Sequence, residues 1–241
     1  MKLSVVVPAY NEAERLPPSL AEIFRYLEQH HPDFEVVVVD DGSSDDMVAA
    51  VRRQFGDRPQ LNLLSYMPNR GKGYAVRYGL QHARGDLILF SDADLSTPIE
   101  EVEKMLPPIA QGYDIVIGSR AHQLADIRKR QPLYRELGGK FFNLVVRLMV
   151  LPDLHDTQCG FKLFRRSVIQ PLFDHLHNDG FAFDVEILAM ARARGAKILE
   201  VPVIWTNSPM TRVRLSAAGR AYVDLLDIRR RAKELAAEAR P

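Results

Sequence analysis

Two carboxylates that stand two positions apart, Asp92 and Asp94, are the first candidates for chemistry in this chain. They follow an apolar run and a serine, LILFS, so a strand is predicted to end where the acids begin. In an extended backbone, side chains two residues apart point the same way, so both acids can face one point beyond the strand. Two hard oxygen anions favour a hard divalent cation, Mg²⁺ or Mn²⁺, shared with a phosphate. A loop with two solvated aspartates explains the D-x-D spacing equally well.

Two further polar clusters follow predicted strands. The segment PAYNE offers Tyr10 as a surface for a nucleotide base and Glu12 as a group near the diphosphate or ribose, and a plain turn capped by Asn11 is the alternative. The segment DDGS at 40–43 offers a carboxylate that can accept a hydrogen bond from a base N–H or a ribose hydroxyl. A helix-capping turn explains that segment as well, because Ser and Asp are good caps.

Three other segments carry candidate groups. The turn NRGKG at 69–73 combines two cations with exposed N–H groups at a predicted helix start, which suits a phosphate, and a surface turn is the alternative. In DTQCGFK at 156–162, Cys159 is interpreted as a buried packing residue rather than a nucleophile. Asp184 precedes a helix and can contact a sugar hydroxyl or act as a base, or it can simply complement the helix dipole.

The segments that must position these clusters alternate between strand and helix patterns. Such a rhythm predicts an open, mostly parallel sheet between helices, with ligands at the carboxyl ends of the strands. A helix starting at Thr97 is predicted from a capping box with Pro98 and Glu100. The other predicted elements of this half are strands Leu3–Val7, Phe34–Val39, Leu61–Ser65, Asp86–Ser91 and Asp114–Ser119, and helices Pro17–Gln29, Met47–Phe55 and Gly73–Ala83.

After Arg120 the regular alternation of strand and helix patterns ends. Residues Ala121–Pro132 are polar and basic and are predicted to form a mobile loop. The segment that follows has a wide apolar face at helical spacing, and the C-terminal part is an amphipathic, Arg-rich helix. The predicted elements of this half are helices Tyr134–Leu151, Asp184–Arg194 and Leu215 onward, and strands Phe161–Phe164 and Ile198–Trp205.

Charge is divided unevenly along the chain. Residues 1–118 hold 11 basic and 18 acidic residues, net −7, whereas residues 119–241 hold 21 and 13, net +8. An acidic half suits metal binding and a basic half suits phosphate or an anionic membrane face, although a chance imbalance on a solvated surface gives the same totals. No recognised nucleic-acid motif is present, so no nucleic-acid partner is expected.

Cysteine content and hydropathy bear on the compartment. Cys159 is the one cysteine, which rules out an internal disulfide and fits a reducing compartment. No apolar run reaches the ~18 residues of a membrane span. The start LSVVV is a strand with no signal-peptide pattern, so a cytoplasmic location is expected.

Taken in order, the motifs are similar to those of inverting glycosyltransferases of family 2, which have the GT-A fold. The segments that carry the resemblance are VVVPAYNE, VVDDGSSD, NRGKGYAV, LILFSDADLSTP, IVIGSR, DTQCGFKLFRR and FAFDVEIL, from about Leu3 to Trp205. Within that family the chain most resembles the dolichyl-phosphate glucosyltransferases and the related dolichyl-phosphate mannose synthases. The resemblance implies an α/β fold with a nucleotide-sugar and metal-binding half at 1–120, an acceptor-binding half of the same domain at 121–207, and a basic amphipathic helix at 208–241.

The resemblance also implies roles for individual residues. Asp92 and Asp94 would hold Mg²⁺ or Mn²⁺ against the diphosphate, and Asp184 would lie near the acceptor. The nucleotide sugar would contact Pro8, Tyr10, Glu12, Asp40, Asp41, Lys72 and Asp92. The catalytic set would be Asp94, Arg120, Arg128, Arg130 and Asp184, with the arginines meeting phosphate groups.

The activity implied is transfer of a hexose from a nucleotide diphosphate sugar to polyprenyl phosphate of the dolichyl type. Ser96 stands where many mannosyl members have glutamine, which slightly favours UDP-glucose over GDP-mannose as donor. An acceptor phosphate is already an oxyanion, so cations that position it matter more than a base. A family 2 transferase with a soluble or glycan acceptor is one alternative, and an inactive nucleotide-sugar-binding protein is another. A sugar nucleotidyltransferase is disfavoured, because PAYNEAE replaces the glycine-rich basic loop of that class.

Contact with a membrane is a separate expectation. The apolar face of Tyr134–Leu151 and the basic residues of the C-terminal helix are typical of peripheral binding to an anionic lipid surface. Packing of both helices on the core, or in a homo-oligomer, explains the same pattern. The basic residues concerned are Arg229, Arg230, Arg231 and Lys233.

Overall fold

The computed structural model of this chain describes residues 2–208 and 215–238. The predicted C-terminal segment at 208–241 therefore includes residues that lie outside the described ones, 209–214 and 239–241. The strands of the described part are β1 (Leu3–Ala9), β2 (Phe34–Asp40), β3 (Leu61–Ser65), β4 (Leu87–Ser91), β5 (Ile115–Ser119), β6 (Asp126–Lys129), β7 (Phe161–Arg165), β8 (Ile198–Pro202) and β9 (Ile204–Thr206). The α-helices are α1 (Leu16–His30), α2 (Met47–Phe55), α3 (Lys72–His82), α4 (Leu106–Ala110), α5 (Leu133–Met149), α6 (Arg166–Ile169), α7 (Phe183–Ala193) and α8 (Leu215–Glu238). Two short 3₁₀ helices span Ile99–Lys104 and Gln170–His175.

A seven-stranded sheet forms the middle layer, in the order β3-β2-β1-β4-β7-β5-β8. All neighbouring strands are parallel except β7, which runs antiparallel between β4 and β5. Every residue of β1, β2, β4 and β5 is buried, as expected for strands covered on both faces. Side chains alternate between the two layers: Val6 packs into one apolar cluster, and Val5 and Val7 into the other. The predicted mostly parallel α/β sheet is confirmed.

Strand β1 runs two residues further than the sequence predicts. Pro8 lies inside the strand and pairs with Val39 of β2, and the strand ends at Ala9. The pairing of β1 with β4 stops at Val6, so the missing N–H of Pro8 falls where β1 has one strand neighbour instead of two. The prediction that Pro8 stops the strand is therefore wrong.

The helix predicted to start at Thr97 is also wrong. No side chain caps the segment, which begins as a 3₁₀ helix at Ile99 and continues as the short helix α4. The Thr97 hydroxyl is buried beside the sulfur of Cys159, 3.9 Å away, and is not available as a cap. Two prolines in the first half of α4, Pro107 and Pro108, lack the N–H that a continuous α-helix needs there.

The segment predicted as a loop at Ala121–Pro132 contains β6, and the single strand predicted at Ile198–Trp205 is two strands. The pairing of β8 with β5 ends at Pro202, and β9 then pairs in parallel with β6 as a separate two-stranded ribbon. The N–H of Thr206 donates to the carbonyl of Ser96 over 2.8 Å. The ribbon β6–β9 is thereby fastened to the chain just after the D-x-D motif.

The C-terminal helix packs on the body of the protein. Ala221, Leu225 and Ile228 of α8 are buried in the cluster that also contains the side chains of α7. Arg231 donates to the buried carboxylate of Glu186 and to the carbonyl of His175, the latter over 2.8 Å. Packing on the core thus accounts for this face of α8. Within residues 2–208 and 215–238, no helix combines the length and the apolar character needed to cross a bilayer.

Candidate active site

Four strand ends bring the predicted site residues to one edge of the sheet. Asp40 is the last residue of β2, Asp92 follows β4, and Arg120 follows β5. These strands run in the same direction as β1, which carries Pro8 near its end. The carboxyl edge of a parallel sheet is where such folds bind ligands.

The two acids of the D-x-D motif lie in a turn rather than in an extended strand. The N–H of Leu95 donates to the carbonyl of Asp92 (3.3 Å), and the N–H of Ser96 donates to the Asp94 carboxylate (3.0 Å). The expectation that an extended backbone aims both acids is therefore wrong. Both side chains are nonetheless partly exposed, and both act electrostatically on Lys72.

Gly160 forms the wall behind Asp92. Its carbonyl accepts the N–H of Asp92 at 3.0 Å, and a Cβ at this position would lie 1.9 Å from Oδ2 of Asp92. No side chain fits between the two segments, so glycine is required for the Asp92 carboxylate to keep its place. The sequence resemblance included this glycine within DTQCGFK but gave it no role.

Lys72 forms an ion pair with Asp92. Its ammonium lies 2.7 Å from Oδ1 of Asp92, and it also lies 5.6 Å and 5.9 Å from the ring centres of Phe90 and Phe183. Burial lowers the pKa of Lys72, but the charges of Asp92 and Asp184 outweigh this effect and raise the pKa overall. Lys72 is consequently a cation at neutral pH that faces the D-x-D turn.

Three backbone N–H groups of the NRGKG turn donate to groups within the protein, which favours the plain-turn alternative for its backbone. The N–H groups of Arg70 (2.8 Å) and Gly71 (3.0 Å) donate to the carboxylate of Asp41, and that of Gly73 donates to the carbonyl of Asp179 (2.9 Å). The turn is held from inside the protein. Its contribution to the edge of the sheet is the side chain of Lys72.

The other candidates for contact with a nucleotide sugar include both buried and exposed side chains. Asp40 and Asp41 are 2% and 3% exposed, and Asp40 accepts the Ser43 N–H (2.9 Å) and the Ser65 hydroxyl (2.7 Å). Asp41 also accepts the Tyr66 hydroxyl at 2.9 Å. Both carboxylates therefore hold in place the chain segments that follow β2 and β3.

The PAYNE segment presents one exposed aromatic side chain and one paired acid. Tyr10 is 40% exposed, whereas the Glu12 carboxylate accepts two hydrogen bonds from the guanidinium of Arg15. Asn11 accepts the Ser44 N–H at 2.7 Å, so it caps the turn after β2 instead of its own helix. The loops that follow β1 and β2 are thus joined at Asn11, the residue after Tyr10.

A buried ion pair that the sequence did not reveal lies at the same edge. Lys162 of β7 is 1% exposed, and its ammonium donates to the Asp184 carboxylate and to the carbonyl of Cys159, the latter at 2.5 Å. Burial raises the pKa of Asp184, and the ammonium groups of Lys162 and Lys72 oppose that rise. A lysine inside a central strand was the available signal, because such a charge needs a buried counter-ion.

Arg120 is anchored by a second missed residue, Asp156, which is 2% exposed. The guanidinium donates to both oxygens of Asp156, and its outer face lies 5.5 Å from the ring of Trp205. Cys159, three residues on, is fully buried, and burial raises the pKa of its thiol to about 12. The predicted packing role of Cys159 is confirmed.

Arg128 and Arg130 lie on and just beyond β6, in the ribbon that flanks the D-x-D turn. Arg128 forms an exposed ion pair with Asp126 at 3.1 Å, and Arg130 is 77% exposed with Glu136 at 3.9 Å. Neither arginine forms a contact with Asp92 or Asp94 among the contacts found for 2–208 and 215–238. Both arginines therefore present their guanidinium groups to solvent beside the edge.

The D-x-D turn offers two partly exposed carboxylates, the ligand type that hard divalent cations prefer. No group of three or more His, Cys, Asp or Glu side chains within the described ranges has the geometry of a complete metal site. Mg²⁺ and similar ions are usually held by one or two carboxylates together with substrate phosphates and waters. Two partly exposed acids at the carboxyl edge match that pattern and leave ligand positions for a diphosphate.

The sequence and the fold are both similar to those of known proteins. Residues 4–173 match the family model Glycosyl transferase family 2. The chain is 39% identical over 234 residues to a dolichyl-phosphate β-glucosyltransferase of Trichomonas vaginalis, covering 92% of this chain and 69% of that protein. It is 38% identical over 219 residues to the human dolichyl-phosphate β-glucosyltransferase, covering 86% and 68%.

Solved structures show the same fold. Mannosyl-3-phosphoglycerate synthase from Rubrobacter xylanophilus superposes with a TM-score of 0.70 at 20% identity, covering 97% of this chain and 75% of that one. Glucosyl-3-phosphoglycerate synthase from Mycobacterium tuberculosis, solved with Mn²⁺, uridine diphosphate and glucosyl-3-phosphoglycerate, gives 0.68 at 19% identity, covering 96% and 80%. Both comparisons support a GT-A glycosyltransferase fold.

Proposed function

The chain belongs to glycosyltransferase family 2, and we propose that it transfers glucose from UDP-glucose to a polyprenyl phosphate of the dolichyl type, with inversion at the anomeric carbon. Relatives that are 36–40% identical over most of the chain are dolichyl-phosphate β-glucosyltransferases, which supports both the sugar and the acceptor class. GDP-mannose is the second candidate donor.

The observation that carries the acceptor class is the pairing of Asp184 with Lys162. An alcohol acceptor needs a base to take its proton, and Asp184 is the acid that the family resemblance places near the acceptor. Its side chain is 7% exposed and is bound by the Lys162 ammonium, so it is poorly placed to serve as that base. A phosphate acceptor is already an oxyanion and needs none.

On the donor side, Asp92 and Asp94 would hold Mg²⁺ or Mn²⁺ against the diphosphate. When bound, such an ion acts as a Lewis acid that stabilises the charge developing on the diphosphate as it leaves. Lys72 lies beside the same carboxylates and supplies a further positive charge for the leaving group. Tyr10 offers a face for the base, while Asp40, Asp41, Pro8 and Glu12 shape the loops around it.

The transfer itself is a single displacement. An oxygen of the acceptor phosphate forms a bond to the anomeric carbon while the bond from that carbon to the nucleotide diphosphate breaks, and the diphosphate keeps the electron pair. Arg120 is already paired with Asp156, so it serves to fix the edge of the site. Arg128 and Arg130, exposed on the ribbon, are the cations suited to meet the acceptor phosphate.

The lipid acceptor also accounts for an apolar stripe on α5, which we propose rests on an anionic membrane surface. Large apolar side chains at spacings of three or four residues project to solvent along this helix, where a soluble surface would be polar. The surrounding segment 120–150 holds seven basic and two acidic residues, which complements anionic lipid. The stripe consists of Leu133, Leu137, Phe141, Leu144 and Leu148, each 48–76% exposed.

The proposal is tested by offering the purified protein a panel of nucleotide sugars with Mn²⁺ and a short polyprenyl phosphate, and by identifying products by mass. We expect a glucosyl product from UDP-glucose that is lost in the Asp92→Asn and Asp94→Asn variants. A hexosyl product from GDP-mannose alone would correct the donor. Absence of any sugar-phosphate lipid product with every donor would refute the proposed function.

A further inference from the structure

The Lys72–Asp92 pair places a fixed cation where a metal ligand is needed. The ammonium of Lys72 lies 2.7 Å from Oδ1 of Asp92. The other carboxylate oxygen, Oδ2, faces the backbone of Gly160 so closely that no Cβ fits between them. A metal that approaches Asp92 therefore meets an oxygen that is already occupied by a positive charge.

The position of Lys72 is well defined. Its ammonium lies over the rings of Phe90 and Phe183, at 5.6 Å and 5.9 Å from their centres, where the negative face of an aromatic ring attracts a cation. Asp184 and Asp94 also attract it, in addition to Asp92. Lys72 is the first residue of α3, and the preceding turn is fixed by Asp41, so the lysine projects from a rigid support.

From this geometry we infer that Lys72 acts as an internal counter-cation that weakens metal binding at Asp92 until a nucleotide diphosphate arrives. The inference rests on the proposed function and deepens it. A divalent ion and an ammonium group on one carboxylate repel each other at short range. A bound diphosphate would supply a new anion for Lys72, which would release the Asp92 carboxylate to hold the metal.

Coupling between the two ligands follows from this exchange. If the nucleotide removes Lys72 from Asp92, it strengthens metal binding, and by thermodynamic linkage the metal strengthens nucleotide binding by the same factor. The protein would then resist metal alone and accept metal and nucleotide diphosphate together. Lys72 would thus make metal binding depend on bound nucleotide diphosphate, in addition to any contact that it forms with the leaving group.

The test measures binding of Mn²⁺ alone, of UDP alone, and of Mn²⁺ in the presence of saturating UDP, with free Mn²⁺ quantified by its electron paramagnetic resonance signal. We expect Lys72→Met to bind Mn²⁺ without nucleotide at least about ten-fold more tightly than wild type, because a like charge close to the ligand is removed. The factor by which UDP strengthens Mn²⁺ binding should fall by at least about the same amount.

Three further variants separate charge from packing. Lys72→Arg keeps the positive charge and should retain the weak binding of Mn²⁺ alone. Lys197→Met removes an exposed lysine far along the chain and controls for net charge. Lys72→Gln provides a second neutral side chain in case Lys72→Met does not fold, which circular dichroism and thermal unfolding without metal will show.

The outcomes are distinct. Tighter Mn²⁺ binding in Lys72→Met or Lys72→Gln, but not in Lys72→Arg or Lys197→Met, supports the inference. Unchanged Mn²⁺ binding in both neutral variants, while wild type still binds UDP and Mn²⁺ together, overturns the inference and leaves the proposed function standing. Failure of wild type to bind UDP with Mn²⁺ contradicts the proposed donor site itself.

Discussion

Arg120 and Asp156 are joined at three points. The Nε and one terminal nitrogen of Arg120 lie 2.7 Å and 2.8 Å from the two oxygens of Asp156, and the backbone N–H of Arg120 donates to the same carboxylate at 2.8 Å. The pair connects the end of β5 to the start of the segment DTQCGFK, which also carries Gly160 and Lys162. The arginine that the resemblance placed among the catalytic groups is therefore held at the end of β5 by a buried acid.

Replacing Asp156 with Asn should destabilise the protein by roughly 3 kcal/mol at neutral pH, because Arg120 would keep its charge without its buried counter-ion. Urea unfolding followed by circular dichroism measures this difference. Asp126→Asn is the matched control, since it removes an acid from the exposed pair with Arg128 and should change stability by less than about 1 kcal/mol. Equal effects of the two substitutions would contradict the structural role of the Arg120–Asp156 pair.

The effect of Asp156→Asn should also depend on pH. Burial by itself raises the pKa of Asp156, but the charge and hydrogen bonds of Arg120 outweigh it and hold the pKa below its usual value. The stability that this carboxylate provides is thus present above the unfolded pKa of about 3.9 and is lost as pH falls through the lower folded value. The difference in the free energy of unfolding between wild type and Asp156→Asn should be constant from about pH 5 to about pH 7. It should shrink only below about pH 4.

Gly160→Ala should impair the metal site while leaving the fold intact. The new Cβ would clash with the Asp92 carboxylate, so the D-x-D turn must shift, and we expect the Mn²⁺ concentration for half-maximal transfer to rise more than about ten-fold. Gly138→Ala, in α5, is the control: its Cβ meets nothing within 4 Å, and Ala stabilises a helix relative to Gly by about 1 kcal/mol. Unchanged metal dependence in Gly160→Ala would show that Asp92 does not bind the metal from this position.

The Lys162–Asp184 pair must be changed as a unit. Asp184→Asn alone leaves a buried ammonium unpaired, so a loss of activity in that variant reports instability as well as chemistry. In the double variant Lys162→Met/Asp184→Asn we expect transfer to polyprenyl phosphate, per folded molecule, to stay within about ten-fold of wild type, a smaller loss than in Arg130→Ala. A fall of 10²-fold or more in the double variant, with Arg130→Ala near wild type, would instead identify Asp184 as a base.

The stripe on α5 should govern binding to lipid. Replacing Phe141 and Leu144 with serine should abolish flotation with anionic liposomes at low salt, since both side chains project to solvent. Met67→Ser is the control, because Met67 is 72% exposed but lies after β3, outside the stripe. Equal flotation of the stripe variant and wild type, or no flotation of wild type, would exclude this surface as the membrane contact.

The sequence predicted the features that depend on neighbouring residues. Unbroken apolar runs such as the valines of β2 identify buried parallel strands, and the polar clusters after them identify the carboxyl edge. It did not predict that β7 runs antiparallel, nor that β6 pairs with β9, because those pairings join residues that are 45 or more positions apart. The counter-ion of Lys162 is also remote from it in sequence, because Asp184 lies 22 residues further along the chain.

The interpretation of single groups changed for the same reason. Asp41 appeared as a ligand for a nucleotide, and the structure shows its carboxylate holding the backbone of the turn at Arg70 and Gly71. Arg120 appeared as a free cation and is paired with a buried acid. A residue type at a strand end shows what chemistry is available, whereas its partners in the fold decide whether that chemistry is used on the ligand or on the protein.

The central claim is that the acceptor is a phosphate, and the most direct measurement compares two matched acceptors. Wild-type protein, UDP-glucose and Mn²⁺ are incubated with a short polyprenyl phosphate or with the polyprenol of the same length, and products are identified by mass and by the anomeric configuration of the sugar. We predict a β-linked glucosyl phosphate from the first acceptor and no glucoside from the second. Transfer to the polyprenol at a comparable rate would contradict this prediction.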